Sequence, residues 1–139
     1  EVESQGCRLP SLICPGAIVW PGASLGENCS VGSGAVIEGG CKVGFNSHIG
    51  AGARIGTGTL LGSSTWVGKG TQIGTRVRIG SNATIGRGVI LDDELVLGRQ
   101  CILDVPGRRS TPVAEKTFIT ASFPRGAVVV DGGRSLAPS

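Results

Sequence analysis

From Ile13 onward every sixth residue is aliphatic: Ile13, Val19, Leu25, Val31, Ile37, Val43, Ile49, Ile55, Leu61, Val67, Ile73, Ile79, Ile85, Leu91, Leu97 and Leu103. Sixteen successive positions keep this register without an insertion. The residue that follows is Gly in eleven of the hexads. Four residues after each aliphatic stands a small or β-branched side chain, as at Ala17, Cys29, Ala35, Cys41, Ser47, Thr59, Thr71, Ala83 and Cys101; Leu95 is the one larger residue. A period of six matches neither the roughly 3.6-residue period of an α-helix nor the two-residue alternation of a lone strand. It predicts a short strand and a tight turn repeated as a solenoid. The aliphatic points inward, the small residue fills the corner, and glycine relieves the backbone at the bend.

Composition thins that core. The 139 residues include 25 Gly, three Phe, two Trp and no Met or Tyr, so Val, Ile, Leu and Ala must fill the interior. A hydrophobic share of 40% with 17% charged residues excludes the disordered class. No apolar run approaches the roughly 18 residues of a membrane span, and no signal-peptide pattern opens the chain. The net charge of +3 is diffuse, and Lys and Arg do not cluster with aromatics. Neither a membrane nor a nucleic acid is therefore an expected partner. Cysteines at 7, 14, 29, 41 and 101 are odd in number and lack CxxC spacing, which argues against a disulfide framework and a zinc site. They read as reduced, mostly buried side chains of a cytoplasmic protein. An initial Glu rather than Met is compatible with a processed product or an excised C-terminal domain.

These hexads resemble those of the hexapeptide-repeat family, whose all-β fold is a single-stranded left-handed parallel β-helix with three hexads per triangular turn. The resemblance covers about residues 13–104 and implies some five turns. A lead-in occupies 1–12, and a C-terminal loop and strand extension occupies 105–139. It also implies a homotrimer. At 18 residues per turn, one outward column reads Leu12, Ser30, His48, Trp66, Thr84 and Ile102. A second reads Ile18, Val36, Arg54, Gln72 and Ile90, and a third Ser24, Lys42, Leu60, Arg78 and Val96. His48, the only histidine, thus lies one rung below Trp66 on a half-apolar face. Such a surface is usually covered by a partner. It is either a trimer contact or one wall of a ligand cleft between adjacent prisms.

The run VIEGGCKVGFNSHIGAGA (36–53) resembles the V-x-E-H-x-C-x-I-G-x-x-x-H-I-x-x-G-A run of acyltransferases in the sialic-acid and bacillosamine acetyltransferase group. Val36, Glu38, Cys41, Gly44, His48, Ile49, Gly52 and Ala53 match, with Val43 for Ile. The resemblance implies acetyl-CoA as co-substrate and a sugar or other amine or hydroxyl as acceptor. The first histidine of the run, the general base, falls on Gly39; the second, near the thioester, falls on His48. His48 and Glu38 are then the candidates for taking the acceptor's proton. FPRGAVVVDGGR (123–134) resembles the P-x-G-x-V-V-x-G-x-P-A-R ending of such transferases, with Gly133 replacing a proline. LICPGA (12–17) resembles their L-I-H-P-x-A segment, with Cys14 replacing histidine. In these relatives the C-terminal extension contributes to the CoA cleft. Candidate cofactor contacts are therefore His48, Trp66, Arg108 and Arg125, with Arg109 and Lys116 as further cations for phosphate.

PGRRSTPVAEKTF (106–118) reads as a surface loop with at most one helical turn, and GAVVVDGG (126–133) as a strand ending in a turn. Asp92, Asp93 and Glu94 read as a solvated bend, with a cation site as the alternative. No resident metal is expected, since the carbonic anhydrases of this fold need three histidines. Pairs such as GSG at 32–34 are repeat glycines and follow no dinucleotide-binding pattern. Three functions fit: an acetyl-CoA-dependent acyltransferase, the trimerising or regulatory C-terminal β-helix of a sugar-nucleotide enzyme, and a noncatalytic scaffold. VWPGASLGENCSVGSGAVI (19–37) resembles the second class.

Overall fold

A computed structural model describes residues 10–120 throughout, and beyond them the backbone strands Val2–Glu3, Gly6–Cys7, Ala127–Val129 and Ser135–Leu136. Each hexad forms a two-residue strand, an outward residue followed by the inward aliphatic, as in Val36–Ile37, Lys42–Val43 and His48–Ile49. Strands 18 residues apart pair in parallel, so Trp66 lies opposite His48 on one side and Thr84 on the other. Three parallel sheets result, and they are the faces of a prism. They are called here the His48, Arg54 and Leu60 faces, after one outward residue of each. Successive rungs are tied by backbone bonds such as His48 N to Thr65 O (2.8 Å) and Trp66 N to Ala83 O (2.9 Å). This is the parallel β-helix that the hexads predict.

The interior follows the inward column. Ile37, Ile49, Ile55, Val67 and Ile85 are fully buried, and Cys41, Ala53, Val77 and Ala83 fill the corners beside them. Polar corner residues are buried too, and each has a reason to be. The hydroxyls of Ser47, Thr59 and Thr71 donate to Gly62 O, Gly74 O and Gly86 O at 3.1, 2.8 and 2.8 Å. Cys29 and Cys41 do the same with their thiols, to Gly44 O and Gly56 O. In each of these five the acceptor is the carbonyl 15 residues on, so one side-chain donor pins that corner to the next turn.

The glycine after the aliphatic is required sterically. A Cβ on Gly50 would lie 2.7 Å from the backbone of Gly68 and Lys69 in the turn above. The glycine two residues later is required conformationally: Gly52 has φ +70°, although a Cβ there would meet nothing within 4 Å. Other corners tolerate side chains in the same left-handed region, at Asn28, Asn46, Ser64, Arg76, Asn82 and Glu94.

The prism is longer than the hexads suggest. Gly107–Arg109 pairs in parallel with Val89–Leu91, Leu97 bridges Val113, and Thr117–Ile119 pairs with Ile102–Leu103. The segment expected to be a surface loop with a helical turn is therefore one more turn of the β-helix, which makes about six turns rather than five. No helix forms among the described residues. The register is lost because this turn is short: Val113 follows Leu97 by sixteen residues instead of 18. Its first inward slot is also held by Arg109, opposite Leu91, where an aliphatic was the signal to count. The strand expected in 126–133 is present as Ala127–Val129, antiparallel to Thr117–Ile119. At the opposite end the first turn has no described turn beneath it, and Ile13 is 47% exposed.

Candidate functional site

The 18-residue register sets His48 between Ser30 below and Trp66 above. The imidazole and indole stack, with ring centroids 4.1 Å apart and planes 23° from parallel. His48 Nδ1 and Ser30 Oγ share a hydrogen bond of 2.6 Å. Burial holds the His48 pKa below its usual range, so the ring is neutral at pH 7. Trp66 remains 52% exposed although His48 covers one of its faces.

A cavity of about 580 Å³ opens beside this stack and runs toward the adjacent corner. Its wall is bare backbone at Gly50, Gly68 and Gly86, and the corner above adds Lys69 and Arg87. These two cations occupy equivalent positions one turn apart; Gly88 N donates to Lys69 O at 3.0 Å. Neither forms an ion pair among the described residues, whereas Arg54, Arg76, Arg99 and Arg108 each hold a carboxylate. Asp104 stands at the upper end of the cavity. An aromatic platform, two free cations and exposed backbone suit a ligand that is part planar or apolar and part anionic. Lys69, Arg87, Asp104 and Ser30 were not singled out from the sequence. Their signal was the 18-residue spacing at the turn positions, which places 69 and 87 together as it places 48 and 66.

The other expected site residues lie elsewhere. Glu38 faces the edge of the Arg54 face, where its Oε2 accepts from Arg54 Nη2 at 2.6 Å and Nε at 3.0 Å. Its Oε1 accepts from Thr57 N and Oγ1. The Arg54 hydrogen bond, with Thr57 behind it, holds the Glu38 carboxyl below the usual carboxylate range. A carboxylate so fully occupied is a poor proton acceptor. Arg108 lies opposite Ile90 on that same face, its Nε 2.6 Å from Asp92 Oδ1. The structure thus brings His48 and Trp66 together and leaves Glu38 and Arg108 apart from them. Arg125 lies outside the described residues, as does most of FPRGAVVVDGGR.

The acidic run is spent on structure. Asp92 holds Arg108 and Ser110, Asp93 accepts from Thr75 N at 2.9 Å, and Glu94 pairs with Arg76. Burial pushes the thiols of Cys41 and Cys101 up, the latter to about 11, so neither is a nucleophile near neutral pH. A larger cavity, about 750 Å³, lies near the open end between Pro10, Leu25, Glu27 and Phe45. Among the described residues its wall has no basic side chain.

The family model of the GMPPB C-terminal domain matches residues 8–117. No curated protein matches the chain by sequence. Among solved structures, WeeI from Acinetobacter baumannii AYE is similar in fold, with a TM-score of 0.72 at 15% identity over 87% of this chain and 55% of that one. The hexapeptide-repeat acetyltransferase VCA0836 from Vibrio cholerae, complexed with acetyl coenzyme A, gives 0.56 at 14% identity over 92% and 72%. A variant of GDP-perosamine N-acetyltransferase from Caulobacter crescentus, in complex with CoA and GDP-perosamine, gives 0.52 at 22% identity over 84% and 56%. The likeness is one of fold. The chain spans little more than half the length of WeeI and of the Caulobacter enzyme.

Proposed function

The chain belongs to the GMPPB C-terminal domain family, and on the β-helix fold it shares with acetyltransferases we propose that it binds an acyl-CoA, acetyl-CoA first, in the cavity beside Trp66. One observation carries this: a stacked His48–Trp66 pair shares a cavity with two cations, Lys69 and Arg87, that form no ion pair among the described residues. The cavity is open on its outer side, and a homotrimer would close it with a neighbouring prism. Transfer of the acetyl group to an amine or hydroxyl, such as that of a sugar, would rest on His48 alone. It is neutral at pH 7 and anchored at Nδ1, while Glu38 is committed to Arg54 and Gly39 offers no side chain.

Calorimetric titration with acetyl-CoA tests the binding. Saturable heat that falls at least tenfold in affinity in a Lys69→Ala/Arg87→Ala variant supports it; absence of heat at millimolar ligand refutes it. Turnover with an amino-sugar acceptor then separates the roles. His48→Ala should abolish it, and Glu38→Gln should leave it unchanged.

A second reading has its own support. Glu38 locked in an ion pair, a bare Gly39 and the GMPPB C-terminal domain match favour a trimerising module that binds ligand without turning it over. Binding with no turnover for any acceptor selects it.

A further inference from the structure

The cavity beside Trp66 has an orientation as well as a size. His48 covers the lower face of the indole, and Trp66 is nonetheless half exposed, so its open surface is the upper face and edge. The rung above carries Thr84, a short side chain, and the rung above that carries Ile102. Two rungs at about 4.8 Å leave a slot of roughly 10 Å between Trp66 and Ile102, floored by Thr84. A planar ring laid on Trp66 fits there, and a nucleobase is the planar ring that stacks on indole without regard to its edge pattern. Lys69 and Arg87 follow Trp66 and Thr84 by three residues each, around the corner, which puts them within about 10 Å of the slot at roughly 3.3 Å per residue. They stand one rung apart, a spacing that suits two neighbouring phosphates. Asp104, two turns above Gly68 and free of ion pairs among the described residues, is placed to accept from ribose hydroxyls.

We infer that this cavity takes a purine nucleoside diphosphate group, with the base on the upper face of Trp66, the phosphates on Lys69 and Arg87, and the ribose toward Asp104. Such a group is part of CoA and equally of a purine sugar nucleotide. The inference rests on the reading of this cavity as the ligand site, and it adds which end of the ligand enters. In this pose His48 braces the indole from below and the remainder of the ligand, a CoA thioester included, leaves around the corner past Lys69 and Arg87. His48 therefore acts here as a brace and not as the base; a His48→Ala variant that loses turnover but keeps its affinity for acetyl-CoA and ADP would overturn the pose.

Trp66 reports on the pose directly. Trp20, the only other tryptophan, lies outside the cavity, so a Trp20→Phe variant leaves Trp66 as the sole indole. The variant is titrated with ADP, GDP, UDP, inorganic pyrophosphate, acetyl-CoA and S-acetylpantetheine. The expected result is saturable quenching of Trp66 by ADP or GDP, weaker quenching by UDP, and competition by pyrophosphate with no quenching of its own. Trp66→Leu should weaken ADP or GDP binding about tenfold by calorimetry. Thr84→Phe, which fills the slot from an outward-facing, half-buried rung, should abolish quenching while leaving the circular dichroism unchanged. Preference for ADP points to CoA as the source, and preference for GDP to a sugar nucleotide.

Outcomes separate the two claims. Tight acetyl-CoA binding without quenching of Trp66, or equal binding of S-acetylpantetheine, overturns the nucleotide pose and leaves the acyl-CoA reading standing. Quenching by ADP or GDP with no added affinity for acetyl-CoA keeps the nucleotide pose and removes the acyl-CoA reading. No binding of any of the six ends both.

Discussion

The imidazole of His48 loses water on three sides, to Ser30, to Trp66 and to the backbone of the sheet, and burial lowers its pKa. A base with a lowered pKa binds fewer protons folded than unfolded across the interval between the two values. Its stabilisation is whole above the unfolded value, about 6.5, and is lost as the pH falls through the folded one. As this is the only histidine, its ring signals need no assignment, and an NMR titration should give a midpoint below 6.5 that returns toward 6.5 after denaturation. A midpoint at or above 6.5 would contradict the burial. Threonine 59 shows residue-scale pinning in its simplest form. Its hydroxyl donates to Gly74 O at 2.8 Å and accepts from Val77 N at 3.3 Å. Thr59→Val keeps the shape and strands a buried carbonyl, so chemical denaturation should show a loss of about 1–3 kcal/mol.

A hexad is a strand of two residues and a turn that must pass under the next turn of the same chain. Its two glycines answer different demands, and substitution should tell them apart. Gly52→Ala meets open space but a φ of +70°, which costs about 1–2 kcal/mol. Gly50→Ala drives a methyl into the backbone of the turn above at 2.7 Å, where no flexible side chain can yield. Its cost should be several kcal/mol, well beyond that of Gly52→Ala by urea melts. Equal losses at the two sites would mean that the turns are not packed as described. The hexad rule was legible from the sequence because both demands repeat identically. The final turn was not, because Arg109 occupies its inward slot and two residues are missing from one side, so the turn shows only in the pairings of Gly107–Arg109, Val113 and Thr117–Ile119 with the turn below.

At the scale of the molecule the prism is a narrow core with three flat faces. Leu12, Ile18, Trp66, Ile90, Val96 and Ile102 all point outward and are exposed. Apolar residues lie on all three faces, which a homotrimer would bury only in part. The proposed homotrimer gives about three times 14.0 kDa by light scattering, and a monodisperse monomer would rule out a cleft between prisms. The sequence by itself determined the period, the inward column and the rung on which every outward residue stands, because an uninterrupted repeat constrains backbone spacing without help from side chains. His48 under Trp66 follows from that spacing. What those side chains do there was decided by the tertiary structure. Glu38 and His48 lie ten residues apart in one turn, yet the carboxylate is taken by Arg54 and Thr57 on one face while the imidazole stacks on another. Likewise Arg108 and Arg87 are equal as phosphate ligands in the sequence, but Asp92 holds the first, whereas the second forms no ion pair among the described residues although Asp104 lines the same cavity. A repeat fixes where a charge sits; whether it is free to bind depends on which neighbour reaches it first, and that is settled only when the turns are stacked.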